Sequence, residues 1–445
     1  MKLNKFITLF SLLLLAFAQL PAQYVKKITL EEAIQMGLQH SRYLQIDKAK
    51  VEEANAELLA AKNKSLPDFK FNTSYMRLTN AQIDMKNKPG NGGSSNNEQG
   101  PSVNQAMLGM ANFSLPIYAG KRIKYGIASA KLLVQVAKLT AESDQNKIAY
   151  NIANAFTNLF KTAKTIDVLT ENLAASQQRD KMFLRLEENG IMAMNDRLKA
   201  QLQTANIELQ LLDANNNYAT AMLSMNLLLG LPSLTTVQPD SSFIHLDLQN
   251  MPFSNFEAAA ISNRKDLQSL KLQQKAAAYA TRSAKAENIP VLALNGGYVA
   301  ANVPHFISVY NAVNLGIGIQ YNLANLWKKN AGLLQARAKE KQLNAYNDEL
   351  NDNIKLTLHK NYQDAMYAAK KTLVYERALE QSTENLRITK NKYNNSLATI
   401  TDLLEADAAL LAAKINIINS RADASLAYYK LLESAGLLPL KKLNN

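Results

Sequence analysis

The chain has 445 residues, 47% of them apolar, with no cysteine and a formal charge of +13. That apolar share is ample for a core, and the lack of cysteine excludes disulfides, Cys-ligated metals and a lipidated Cys. Lys and Arg are interspersed with Glu and Asp along helical faces. This reads as solvated helix surface, and no nucleic-acid partner is expected.

Residues 1–22 have the form of a secretory signal. Lys2 and Lys5 precede an apolar run from Phe6 to Phe17, and cleavage is expected after Ala18 or Ala22. The run is too short to span a bilayer comfortably, and no later segment has 18 uninterrupted apolar residues. Export without a membrane helix follows as an expectation.

Residues 23–232 form a first structural repeat and residues 253–439 a second, joined by a link over 233–252 and followed by a tail over 440–445. The repeat shows as a fixed offset of 206 residues. Gly190 aligns with Ser396 at a turn, Asp196 with Asp402, Leu198 with Leu404, Gly126 with Gly332 and Gly230 with Gly436. An offset held over so long a stretch marks an internal duplication. Upstream of Pro67 and Pro290 the offset is 223, so the first copy holds 17 extra residues. The Gly/Asn/Ser-rich stretch 87–103 has that length and is predicted to be an exposed loop.

In chain order, residues 28–66 read as two helices opened by a Thr29–Glu32 capping box, and residues 253–289 repeat them. The period then falls toward two, predicting hairpins over 67–118 and 290–322. The pattern is clearest from Val309 to Tyr321. Val309, Val313, Leu315, Ile317, Ile319 and Tyr321 alternate with Tyr310, Ala312, Asn314, Gly316, Gly318 and Gln320. This is an amphipathic strand long enough to cross a bilayer when tilted. A half-buried soluble sheet would give the same pattern. Four strands cannot close a barrel, and open edges are not tolerated in lipid, so a membrane role requires several chains.

After each hairpin, residues 127–189 and 333–395 run for 63 residues without Gly or Pro. Long helices are predicted over 120–189 and 326–395, about 95 Å for 63 residues. Return helices are predicted over 195–230 and 399–434. Ile148, Ile152, Ala155, Leu159, Thr162, Ile166, Leu169 and Leu173 step by four and three, a coiled-coil seam. Leu404, Ala408, Leu411, Ile415, Ile418 and Ala422 do the same on the second return helix.

Nothing in the chain reads as an enzyme. There is no phosphate-binding loop, dinucleotide fingerprint, HExxH or GxSxG. His40, His245, His305 and His359 are far apart, and no metal or cofactor is expected. The acids at the second corner differ from the rest. Asp402 and Glu405 are three apart on one helical face beside a turn. They suit a capped, exposed helix start. If three chains met at an axis, they would also form a carboxylate ring that attracts cations.

With ITLEEAIQMGLQHSRYLQ at its start, SLPIYAGKR before a long helix, YNNSLATITDLLEADAAL at the second corner and the duplication itself, the chain resembles the TolC family of outer-membrane efflux proteins. The resemblance covers essentially the whole mature chain. It implies a mainly α fold with a small membrane β part. Long coiled-coil helices and two β-hairpins per chain would assemble as a homotrimer, with a twelve-stranded barrel in outer-membrane lipid above a periplasmic helical barrel. It implies a passive duct fed by an inner-membrane transporter through a periplasmic adaptor (membrane fusion) protein. The adaptor would dock near residues 187–197 and 393–402. It places a periplasmic gate at Asp402, Glu405, Tyr393 and Asp196, opened by iris-like helix rearrangement. Ala398 stands where some members carry a tethering Arg. Ser396, preceded by Asn394 and Asn395, replaces the expected turn Gly. Two alternatives remain: a type I protein-secretion duct of the same fold, and an exported coiled-coil scaffold that forms no channel.

Overall fold

The computed structural model describes residues 25–82, 102–244, 252–304 and 306–438. The signal, residues 87–101 of the loop, residues 245–251 of the link, the tail, His245 and His305 lie outside them. The chain separates into two units. The first comprises residues up to Lys48, Leu139–Gln268 and the chain from Glu349 on; the second comprises Ala49–Lys138 and Ser269–Asp348.

The first copy runs β1 (Val25–Ile28), α1 (Leu30–His40), α2 (Arg42–Asn63), β2 (Asp68–Gln82), β3 (Ser102–Tyr118), α3 (Arg122–Glu188) and α4 (Met194–Leu229). After β4 (Thr236–Pro239) the second copy runs α5 (Phe253–Asn263), α6 (Lys265–Lys285), β5 (Val291–Val303), β6 (Ile307–Gln320), α7 (Ala331–Asn394) and α8 (Ile400–Ser434). Among the described residues no helix is long and apolar enough to cross a membrane.

Local chemistry sets the ends of these elements. The capping box at α1 is present: the Thr29 N–H donates to Glu32 Oε2 at 2.9 Å, and the Glu32 N–H donates to Thr29 Oγ1 at 3.3 Å. Gly230 and Gly436 both take left-handed φ, 69° and 68°. The following amides donate back to the carbonyls of Asn226 and Leu432, at 2.9 and 2.8 Å. The duplication thus repeats down to single hydrogen bonds.

Several sequence expectations need correction. The start of the chain is not only helical, and the link is not wholly irregular. Val25–Ile28 and Thr236–Pro239 pair as a parallel two-stranded sheet, with Ile28 and Val237 buried in the helical core. This pairing joins segments more than 200 residues apart, so local periodicity could not report it. Ser102 and Val103, placed in the exposed loop, begin β3, and Val103 is buried. The second long helix starts at Ala331, not 326, because a short 3-10 turn over Leu323–Leu326 precedes it.

In the first unit the stripe of α3 is the spine of the core. Ile152 and Leu159 are fully buried with Phe156 and Phe160, both of which meet Phe243 edge-on at 5.4 Å. Gly37 lets α1 approach α3 closely, since a Cβ there would collide with Ile152. At the offset of 223, Ala260 occupies the Gly37 position and packs in one cluster with Leu358.

In the second unit the two hairpins join into one antiparallel sheet of order β2-β3-β5-β6. The register places Phe69 opposite Phe113, Phe71 opposite Ala111, Leu115 opposite Leu294, Leu294 opposite Ile317 and Tyr298 opposite Val313. One face is therefore apolar and aromatic across all four strands, yet exposed: Phe71 is 75% accessible and Ile319 76%. The opposite face carries Asn112, Ser114, Asn295 and Asn314, with Ser114 Oγ donating to Asn295 Oδ1 at 2.9 Å.

The alternation read over 309–321 is interrupted. Val299 pairs with Ala312 but Ala301 pairs with Val309, so β6 carries one residue more than β5 at Tyr310 and Asn311. Asn311 has φ 58°. This β-bulge puts Val309 on the face opposite Val313, Leu315, Ile317 and Ile319. The expectation that all of these share one face is corrected accordingly.

Candidate functional site: the two helical corners

The hairpin corners between α3 and α4 and between α7 and α8 are built alike. Gly190 has φ 71° and Ser396 φ 62°. At the first, the Gly190 N–H donates to the Glu187 carbonyl and the Ile191 N–H to the Leu186 carbonyl, both at 2.8 Å. At the second, the Ser396 N–H donates to the Tyr393 carbonyl at 2.9 Å and the Leu397 N–H to the Lys392 carbonyl at 2.8 Å. Each is a Schellman stop, which satisfies the last helical carbonyls. The side-chain amides of Asn189 and Asn395 each donate to the carbonyl four residues back, at 2.6 and 2.8 Å. Nothing lies within 4 Å of a Cβ built on Gly190, so its backbone angle, not space, calls for glycine there.

The corners differ at the start of the return helices. At α8, Thr399 and Asp402 form a capping box. The Thr399 N–H and hydroxyl both donate to Asp402 Oδ2 at 2.8 Å, and the Asp402 N–H donates to Thr399 Oγ1 at 3.2 Å. These hydrogen bonds, with Lys392 nearby, hold the Asp402 carboxyl below the usual carboxylate range. At α4 the matching residue is Ala193, which gives no side-chain cap. Asp196 pairs instead with Lys199 at 3.2 Å. Glu405 lies one turn beyond Asp402, and both are exposed.

Tyr393 is partly buried against the cluster of Phe183, Ala200, Ile400, Leu403 and Leu404, with its ring 6.3 Å from Phe183. Burial, then the charge of Asp196, raises its hydroxyl pKa above the ordinary tyrosine value. The fold therefore leaves Tyr393 of the second corner within the field of the Asp196 charge at the first, and places Asp402 and Glu405 on the neighbouring helix start.

Sequence reasoning missed the charge ladder that ties α3 to α8. Lys161 meets Asp423 at 2.8 Å, Glu171 meets Lys414 at 3.7 Å, and Arg179 meets Asp407 at 2.8 Å. The last is the most enclosed, its side chains 16% and 12% accessible, and it stands beside a Ser176–Thr204 hydroxyl pair at 2.7 Å. Nothing in local spacing joins residues so far apart. Thr399 was legible, since TITD at 399–402 has the spacing already read at Thr29 and Glu32. Among the described residues no group of acids and histidines is arranged to hold a metal ion.

A duplicated body of long antiparallel helices, with both hairpins in one sheet that is apolar on one side and polar on the other, is the protomer architecture of outer-membrane channels. The outer membrane channel VceC of Vibrio cholerae superposes with a TM-score of 0.76 at 18% identity, over 92% of this chain and 96% of that one. The CmeC channel of Campylobacter jejuni gives 0.78 at 16% identity, over 92% and 85%. In sequence, the outer membrane protein TolC of Salmonella enteritidis is 22% identical over 318 residues, 66% of this chain and 62% of that relative. The family model for outer membrane efflux protein matches residues 33–231 and 258–437, once in each copy. The chain belongs to the outer membrane efflux protein family.

Proposed function

We propose that three copies of this chain form an outer-membrane channel, the exit duct of a tripartite efflux system. The observation that carries this reading is the four-stranded sheet. Its apolar face is exposed at Phe69, Phe71, Val313, Leu315, Ile317 and Ile319, its opposite face carries Asn112, Ser114, Asn295 and Asn314, and β2 and β6 leave both edges open. In lipid such edges must be paired, and pairing β6 of one copy with β2 of the next closes twelve strands over three chains. Lipid then covers the Phe, Leu and Ile side, and water fills the Asn and Ser side.

The long helices extend into the periplasm, and the corners form its closed end. There Asp402 and Glu405 from each copy ring the axis, while Tyr393, packed against Phe183 and Leu404, holds the coils together. A periplasmic adaptor docking near residues 187–197 and 393–402 loosens these coils, and an inner-membrane transporter supplies the energy. No chemistry is catalysed. The test is fractionation followed by native mass spectrometry of the full chain. Release only by detergent, at three times the chain mass, is the expected result. A protein released without detergent as a monomer contradicts it and favours the scaffold.

A further inference from the structure

The duplication also specifies how neighbouring copies meet, an inference that rests on the trimer reading. On α8 the stripe containing Leu404, Ile415 and Ile418 packs in clusters with residues of α3. The residues 206 earlier, Leu198, Leu209 and Leu212 on α4, are 47%, 59% and 61% accessible. They are the same face of the same repeat, left uncovered within the chain.

The charges identify what covers it. Within the chain α3 and α8 are bridged by Glu171 and Lys414. Shifting both by the repeat turns Glu171 into Arg377 on α7 and Lys414 into Glu208 on α4. The pair is retained with its signs exchanged. Both residues are exposed, and among the described residues neither forms an ion pair within the chain. The shifted counterpart of Arg179 and Asp407 is Asn385 and Gln201, two amides able to bond each other.

We propose that the α4 stripe is covered by α7 of a second copy of this chain, in the register where Glu208 meets Arg377 of the partner subunit. That register brings Leu198 near Ile388 of the partner subunit and Leu212 near Val374 of the partner subunit. Ile388 and Val374 are exposed in the isolated chain. The exchange of signs also selects the pairing. Packing α3 against α4 of another copy would face Glu171 with Glu208, and packing α7 against α8 would face Arg377 with Lys414. Like charges disfavour both wrong pairings, so the head-to-tail contact recurs and closes a ring.

The chain has no cysteine, so pairs can be introduced cleanly. Full-length protein carrying Glu208→Cys and Arg377→Cys, treated in membranes with a bis-maleimide spanning about one ion-pair-bridged helix contact (~8 Å), is expected to give a covalent ladder ending at three chains. Glu208→Cys with Asn391→Cys, displaced by about 21 Å along α7, is expected to give none. Separately, Glu208→Arg is expected to lower the trimer fraction in detergent about twofold to fivefold, and adding Arg377→Glu to restore it. A trimeric native mass with no ladder from the 208/377 pair, or with an equal ladder from 208/391, overturns this register while leaving the channel reading intact. A monomeric native mass overturns both.

Discussion

The Asp402 carboxylate accepts hydrogen bonds from both the backbone N–H and the hydroxyl of Thr399, each at 2.8 Å, and so caps the helix that leaves the second corner. The acid read from sequence as a gate residue also holds the fold of the corner it stands on. A substitution that removes its charge therefore changes helix stability and electrostatics together.

Thr399→Val separates the two roles, because it removes the cap and leaves the carboxylate. It is expected to lower the thermal midpoint of the protein while retaining the cation preference of the channel. Asp402→Asn is expected to lose part of both. Circular dichroism melts beside ion-selectivity measurements check this. Since the Asp402 pKa is depressed in the folded chain, its contribution is fully present above the unfolded carboxylate value. It is lost as pH falls through the lower folded value, so the difference between wild type and Asp402→Asn should vanish in strong acid.

Ser396 adopts φ 62° where the first copy uses Gly190. A left-handed backbone costs a residue with a Cβ about 1 kcal/mol. Ser396→Gly is expected to stabilise the chain by up to that amount, and Ser396→Val, which is β-branched, to destabilise it. Denaturant titration of the detergent-solubilised protein gives both values.

Removing one partner of the enclosed Arg179–Asp407 pair leaves a charge without its counter-ion. Asp407→Asn is expected to cost about 3 kcal/mol. Arg179→Met with Asp407→Leu, which removes both charges, is expected to cost less than Asp407→Asn alone. A double-mutant cycle by denaturant unfolding measures the difference.

The two faces of the sheet predict opposite responses to charge. Leu315→Lys lies on the exposed apolar face and Asn314→Lys beside it on the polar face. In lipid vesicles the first is expected to cost about 2–4 kcal/mol near the membrane midplane, and the second little. Equal costs at the two positions would contradict the assignment of faces.

The long helices, their stops and the duplication were legible because each is a local signal: an uninterrupted 3.6-residue period, a terminal Gly, a repeated spacing. The strands of the second copy were legible by alternation, but the bulge at Asn311 moved Val309 to the other face. An Asn inside an alternating run, able to take a left-handed backbone, was the available clue. The β1–β4 pairing and the Arg179–Asp407 bridge join distant segments, and no local period carries that information. At the corners, Tyr393 and Asp196 were singled out through family resemblance, whereas what positions Tyr393 is its packing on Phe183 and Leu404. The Thr399 cap was local and could have been read.

Single-channel conductance of the purified full-length protein in a planar bilayer tests the central claim most directly. A small, cation-selective conductance is expected, rising and losing selectivity in Asp402→Ala with Glu405→Ala. The absence of any channel from protein that is trimeric in detergent would contradict the claim. An unchanged channel in the double variant would remove these two acids from the gate.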